Sequence, residues 1–315
     1  METRVPAIVI IGEAMVELSR GAEPGAWRLH YGGDTLNTAL HLARLGADVG
    51  YLTALGADPF SAELRRALAA EGLDPALILT DPARTVGLYA ISSTPAGERS
   101  FTYWRGESAA RQLFALPGAG PLVEAAAEAR LLYFSMISLA ILPEAGRGAL
   151  LDLARRVRAA GGRVAFDSNY RARLWESADV ARAVHARALA CADIGLPTLE
   201  DENALLGLSD PAAVAGHWRG AGVAEIVVKL GAAGCWIDGE TVPPPAPLTP
   251  RDTSGAGDAF NAGYLHARLA GAAPAVAASA GHTLAGWVVM RAGAIPAVDE
   301  EAPYAGLRAP TAFKL

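Results

Sequence analysis

Residues 252–265 read DTSGAGDAFNAGYL. A glycine pair, Gly255 and Gly257, follows Asp252 and opens an alanine-rich stretch, 257–270, with the composition of a helix; a second such stretch, 274–290, follows with no strand between them. Glycines let successive backbone N–H groups point into one concavity, and a helix N-terminus adds partial positive charge there, so the stretch suits phosphate oxygens. Asp258 stands at the mouth of that concavity, where the helix dipole would hold it ionised and able to accept a proton from an alcohol. A glycine turn with Asp258 as an ordinary N-terminal helix acid explains the same residues, because GxG before a helix is a weak signal alone.

Upstream, short apolar runs alternate with longer amphipathic ones, the rhythm of βα units around a parallel sheet. Buried strands are expected at 7–11, 49–54, 130–135, 163–167, 192–196 and 225–229, and helices at 35–45, 59–71, 143–160, 176–190 and 210–221. In the first helix Leu36, Ala39, Leu40 and Ala43 fall on one stripe, with Asp34 as N-cap. Two segments break the rhythm: 85–93 and 99–105 read as strands joined by the turn TPAGE, and with 27–31 they could form a small sheet that presents Tyr89 and Tyr103. Residues 31–37, YGGDTLN, place Gly32 and Gly33 before Asp34 and Asn37 at a helix start. That combination suits sugar hydroxyls, and equally a turn with an N-cap and no ligand. The expected architecture is one α/β domain over 1–315, with a central, mostly parallel sheet and a small β-sheet lid from strands within about 14–33 and 84–106.

Composition narrows the function. Of 315 residues, 52% are hydrophobic and 19% charged, enough apolar content for a large core. The net charge of −6 gives no general attraction to nucleic acid or an anionic membrane, so an anionic ligand needs a local constellation. The two cysteines, Cys191 and Cys235, form no metal or redox motif, and no secretory or membrane-spanning run is expected, which points to the cytoplasm. There is no GxxxxGK[ST], no GxGxxG after the first strand, and no HExxH or GxSxG, which argues against P-loop, dinucleotide-binding, metallohydrolase and serine hydrolase chemistry.

DTSGAGDAFNAGYL together with YGGDTLNTALHLARLG resembles the paired signatures of the ribokinase-like (PfkB) family of sugar kinases, and the similarity spans nearly the whole chain. The resemblance implies a ribokinase-like three-layer α/β/α domain. GEAMVELS, GLYAIS, ERSFTYWR, SMISLAIL, FDSNYRARLW and VVKLGAAG are further similar to the branch that moves the ATP γ-phosphate onto 2-keto-3-deoxygluconate. It implies Asp258 as catalytic base on the terminal hydroxyl. Gly33, Asp34, Asn37, Tyr89, Tyr103, Arg105 and Arg171 would bind the sugar acid, the arginines through its carboxylate; Asn169, Lys229, Gly231, Gly234, Gly255, Ala256 and Gly257 would bind ATP. Mg²⁺ would arrive with the nucleotide. The family's NxxE motif is replaced by Thr198-Leu199-Glu200-Asp201, so either Glu200 or Asp201 fills the acidic position and no direct metal ligand is assigned. Homo-oligomerisation is implied as well. The alternatives are a fructokinase or ribokinase of the same fold, whose substrate lacks a carboxylate, and a non-catalytic sugar-acid binding module.

Overall fold

Ile8–Ile11 is four apolar residues in a row, all buried, and forms the strand on either side of which the chain is wound. A strand with no polar alternation must be covered on both faces. In the computed structural model, which describes residues 5–308 apart from 22, 24 and 94–98, each face carries a helical layer. The strands of the first half are β1 (Ile8–Ile11), β2 (Met15–Arg20), β3 (Trp27–Gly32), β4 (Val49–Gly56), β5 (Ile78–Asp81), β6 (Gly87–Ser93) and β7 (Arg99–Trp104). Then come β8 (Leu131–Ser135), β9 (Arg163–Asp167), β10 (Ile194–Leu196), β11 (Glu225–Ile226), β12 (Val228–Lys229), β13 (Cys235–Ile237) and β14 (Glu240–Val242). The helices are α1 (Asp34–Arg44), α2 (Pro59–Ala70), α3 (Ala119–Ala126), α4 (Met136–Ile141), α5 (Glu144–Ala159) and α6 (Ala178–Leu189). They continue with α7 (Leu199–Leu206), α8 (Pro211–Gly220), α9 (Ala256–Leu269), α10 (Pro274–Val289) and α11 (Tyr304–Leu307).

Seven strands form one parallel sheet in the order β11-β10-β9-β8-β1-β4-β5. Alternate residues face opposite layers. Ile8, Ile10, Tyr51 and Tyr133 pack on α1, α2, α9 and α10, whereas Val9, Ile11, Leu52 and Phe134 pack on the layer built from α3 to α8. This is the expected three-layer α/β/α arrangement. From β1 the chain runs outward to β4 and β5, then returns to lay β8 on the other side of β1. That reversal opens a crevice at the carboxyl ends of β1 and β8, the position where open α/β sheets bind ligands. Among the described residues, no helix is long and apolar enough to cross a membrane.

A second sheet has four strands rather than three, in the order β3-β2-β6-β7. The added strand β2, inside the expected lid range 14–33, pairs antiparallel with β3 and parallel with β6, and its register sets Glu17, Tyr89 and Tyr103 side by side across three strands. The predicted TPAGE turn lies outside the described residues. The run 225–229 stays beside β10 along its length, Val227 N–H bonding to the Gly195 carbonyl and Lys229 N–H to the Pro197 carbonyl, while its second half, β12, also pairs antiparallel with β13, Lys229 opposite Cys235. Asp34 is not the N-cap of α1. Gly33 takes that position with φ 142°, and Asp34 is the first helical residue, its side chain directed elsewhere.

Phe166 of β9 is buried against Phe134, Trp218 and His185, with ring centroids 5.2, 5.6 and 5.9 Å away. Phe166→Ala is expected to destabilise the fold by about 3–5 kcal/mol through lost burial and the cavity left behind. Equilibrium denaturant unfolding, read as a fall in midpoint at constant slope, checks this.

Candidate active site

Two helix N-termini meet at the crevice. Gly33 precedes α1 with a backbone that favours glycine, and a Cβ there would stand 2.2 Å from the Glu13 carbonyl oxygen. Gly255 precedes α9 in the left-handed region, φ 70°, and a Cβ there would meet the Ala294 Cβ at 2.5 Å. With both starts fixed, Asn37 of α1 donates from Nδ2 to Oδ2 of Asp258 in the first turn of α9 at 2.8 Å. Asn37 Oδ1 is buried and has no protein partner, an acceptor facing a donor the protein does not supply. Asp34 accepts from Ser135 Oγ at 2.5 Å and from Asn169 Nδ2 at 3.0 Å, tying α1 to the ends of β8 and β9.

Lys229 lies below the start of α9. Its Nζ donates to Asp167 Oδ1 at 2.9 Å and to Asn261 Oδ1 at 3.2 Å, and stands 3.8 Å from where a Cβ on Gly257 would be. Asn261 closes the network, giving Nδ2 to Asp167 Oδ2 at 2.9 Å. Of the backbone donors expected in the glycine stretch, Ala256 N–H already bonds to the Thr253 carbonyl at 3.3 Å. Gly257 and Asp258, second and third in the helix, have no intrahelical acceptor for their N–H groups. Gly231 (φ 59°) and Gly234 (φ 102°) bracket the turn from β12 into β13, and a Cβ on Gly234 would stand 2.2 Å from Val242 O.

The four-stranded sheet supplies the opposite wall. Tyr89 and Tyr103 stack with centroids 5.6 Å apart, and the Tyr89 hydroxyl donates to Glu17. Arg105 directs Nε at 2.8 Å, and also Nη2, to Oε2 of Glu13, which is buried just beyond β1. Arg171 donates from Nη1 to Asp201 at 3.0 Å. Glu200 is exposed on α7, whereas Asp201 faces Arg171, so Asp201 is the carboxylate that reaches the crevice. The next residue, Glu202, is buried and accepts from Trp218 Nε1 at 3.0 Å, which pins the first turn of α7. These contacts gather Asp34, Asn37 and Asn169 around the start of α1, set Tyr89, Tyr103 and Arg105 on or beside the four-stranded sheet, and tie Arg171 to α7. Glu13, Ser135, Asp167 and Asn261 were not anticipated. Asn261 lies one helical turn after Asp258 in the opening motif, and Asp167 ends a recognisable strand; Glu13 is the charge that halts the first apolar run.

Burial, reinforced by the Asp34 carboxylate, pushes Asp258 up to about 8; the Asn37 hydrogen bond and Lys229 pull the other way. Burial thus works against the helix dipole expected from the sequence to hold this carboxyl ionised. Burial also raises Asp34, against the Ser135 hydrogen bond, and raises Asp201 to about 6 against the pull of Arg171. A buried carboxyl near 8 at a helix N-terminus is well placed to take a proton from an alcohol.

Residues 5–301 match the pfkB family carbohydrate kinases. The chain is 43% identical over 300 residues to the 2-dehydro-3-deoxygluconokinase of Dickeya dadantii (strain 3937), covering 91% of this chain and 96% of that protein. It is equally similar, at 43% over the same shares, to the 2-dehydro-3-deoxygluconokinase of Escherichia coli (strain K12). Among solved structures, aminoimidazole riboside kinase from Salmonella enterica, complexed with aminoimidazole riboside and an ATP analogue, superposes with TM-score 0.80 at 27% identity, over 96% of this chain and 99% of that one. The chain belongs to the pfkB family and is a carbohydrate kinase.

Since the base must be deprotonated to act, kcat/KM is expected to climb with pH and level off above about 8. Asn37→Ala removes a hydrogen bond that favours the ionised form, so its ascending limb should move to higher pH. Initial rates across a pH series for parent and variant check both the limb and its direction of shift.

Proposed function

We propose that this pfkB-family kinase transfers the γ-phosphoryl group of ATP to the terminal hydroxyl of 2-keto-3-deoxy-D-gluconate, giving the 6-phosphate and ADP. The observation that carries the reading is the Asn37–Asp258 pair at the start of α9, a proton acceptor set beside backbone donors with an unpartnered acceptor, Asn37 Oδ1, next to it. The relatives named 2-dehydro-3-deoxygluconokinase support the choice of substrate.

Asp258 takes the hydroxyl proton as the oxygen bonds to the γ-phosphorus and the bond to the ADP oxygen breaks. The N–H groups at the start of α9, with Gly255 and Gly257 keeping side chains out of the way, face the charge on the transferred group. Lys229 holds its cation beneath them, fixed by Asp167 and Asn261. Gly33, Asp34 and Asn37 receive the sugar hydroxyls; Tyr89, Tyr103 and Arg105 cover them, so that the four-stranded sheet is the lid of one kinase domain. Gly231 and Gly234 shape the loop that meets the nucleotide, and Arg171 borders the phosphate path.

Mg²⁺ fits this acidic crevice as a companion of ATP. No cluster of three ligating side chains stands ready among the described residues, and Mg²⁺ commonly keeps several waters while binding one or two carboxylates and phosphates. Asp201, through waters, would hold it, and when bound it would neutralise phosphate charge. The raised Asp201 and Asp258 carboxyls accord with a site built to receive a cation. Two free, buried cysteines accord with a cytoplasmic location, and exposed Trp27, Phe101 and Trp104 on the lid sheet with a homo-oligomer. A neutral hexose such as fructose is the second reading, favoured by one observation: Arg105 and Arg171 are each already matched by a carboxylate.

A coupled assay with ATP and Mg²⁺ against 2-keto-3-deoxygluconate, its C4 epimer, fructose, ribose and adenosine is expected to give the highest kcat/KM with the first; a larger value with fructose would overturn the substrate reading. Asp258→Asn should keep its melting temperature and lose about 10²–10⁴-fold in kcat. Near-full turnover in that variant would remove Asp258 as the base.

A further inference from the structure

This inference rests on the substrate reading above. A sugar-acid carboxylate entering the crevice meets two acidic groups, Asp34 and Asp258, whose hydrogen-bond partners Ser135, Asn169 and Asn37 bring no positive charge. The cations nearby are largely neutralised. Arg105 places two of its nitrogens on Glu13, Arg171 is paired with Asp201, and Lys229 with Asp167.

Arg173 is different. It follows β9 in the short turn Ala172–Leu174, on the main body rather than the lid, and it is exposed. Its guanidinium carbon lies 4.1 Å from the ring centroid of Tyr103, nearer than that of Arg105 at 5.8 Å. Among the described residues it has no carboxylate partner. A guanidinium over an aromatic ring uses its flat face for that contact and leaves its in-plane N–H groups free to fork onto a carboxylate. Tyr103 in turn stacks on Tyr89, so the cation sits at the edge of the same aromatic surface that covers the substrate.

We propose that Arg173 is the specificity-determining residue for the substrate carboxylate, delivering an unneutralised guanidinium from the main body against Tyr103 of the lid. Arg105, fixed by Glu13, then contributes shape and hydrogen bonds more than net charge. The arrangement gives the enzyme a reason to prefer an acid over a neutral hexose.

The test compares Arg173→Gln and Arg173→Lys with the parent, measuring KM for 2-keto-3-deoxygluconate and for ATP. In the Gln variant, KM for the sugar acid is expected to rise about 10- to 100-fold, the size of a lost charge-assisted contact, with KM for ATP unchanged. The Lys variant, keeping the cation but losing the planar fork, should recover part of the affinity. Parent-like KM for the sugar acid in Arg173→Gln would overturn the proposal. A Lys variant as weak as the Gln variant would also overturn it, since the position would then act through packing on Tyr103. A parent protein inert toward the sugar acid but active on fructose would instead defeat the substrate reading, and this inference with it.

Discussion

One hydrogen bond joins parts of the chain 221 residues apart: Asn37 to Asp258. It is possible only because α1 and α9 begin at the same end of the sheet and aim their N-termini at the same point. Glycine at 33 and 255 allows both backbones to make that approach. Around this contact the molecule gathers its acidic groups, Asp34 from α1 and Asp167 from β9, close enough to raise the proton affinity of Asp258. Protein folds rarely bring carboxyls together in a buried place without function, because mutual repulsion and lost hydration both oppose it. Here the opposing terms are offset by Lys229 and by neutral donors from Ser135, Asn169 and Asn37.

The sheet and its helices were legible from period and composition, since fully buried strands such as Ile8–Ile11 and Leu131–Ser135 cannot be mistaken for solvent-facing ones once glycines and amphipathic helices punctuate them. Elements with weak patterns escaped. The strand Met15–Arg20 runs from buried Met15 and Val16 through half-buried Glu17 and Ser19 to exposed Arg20, with no alternation to mark it, and is identifiable only through its neighbours in register. That the second half of 225–229 carries a further antiparallel partner, β13, leaves no trace in a continuous apolar run. In the crevice, glycines and the motif acids could be picked out, because backbone geometry and helix starts leave local marks. Pairings could not. That Glu13 would hold Arg105, or Asp201 hold Arg171, depends on distances across 92 and 30 positions of chain, which no local pattern encodes.

The charge pairs divide the work of the crevice. Lys229, buried with Asp167 and Asn261, is locked in place and acts as a fixed field under the first turn of α9. Asp201 is held by an arginine at a more exposed edge, where its carboxyl remains able to gain and lose a proton near neutrality. Glu202 beside it is wholly buried and bound to Trp218, so α7 presents one acid outward while anchoring on the next.

The parallel pairing of β2 with β6 has a mechanical consequence. One strand pair springs from the end of β1 and the other from the region after β5, so without that seam they would be two independent flaps. Stitched together, they form a single plate joined to the main body at four places, residues 12–14, 33, 82–86 and 105–108. Glu17, Tyr89 and Tyr103 are paired across its adjoining strands, so any displacement of the plate would carry all three together.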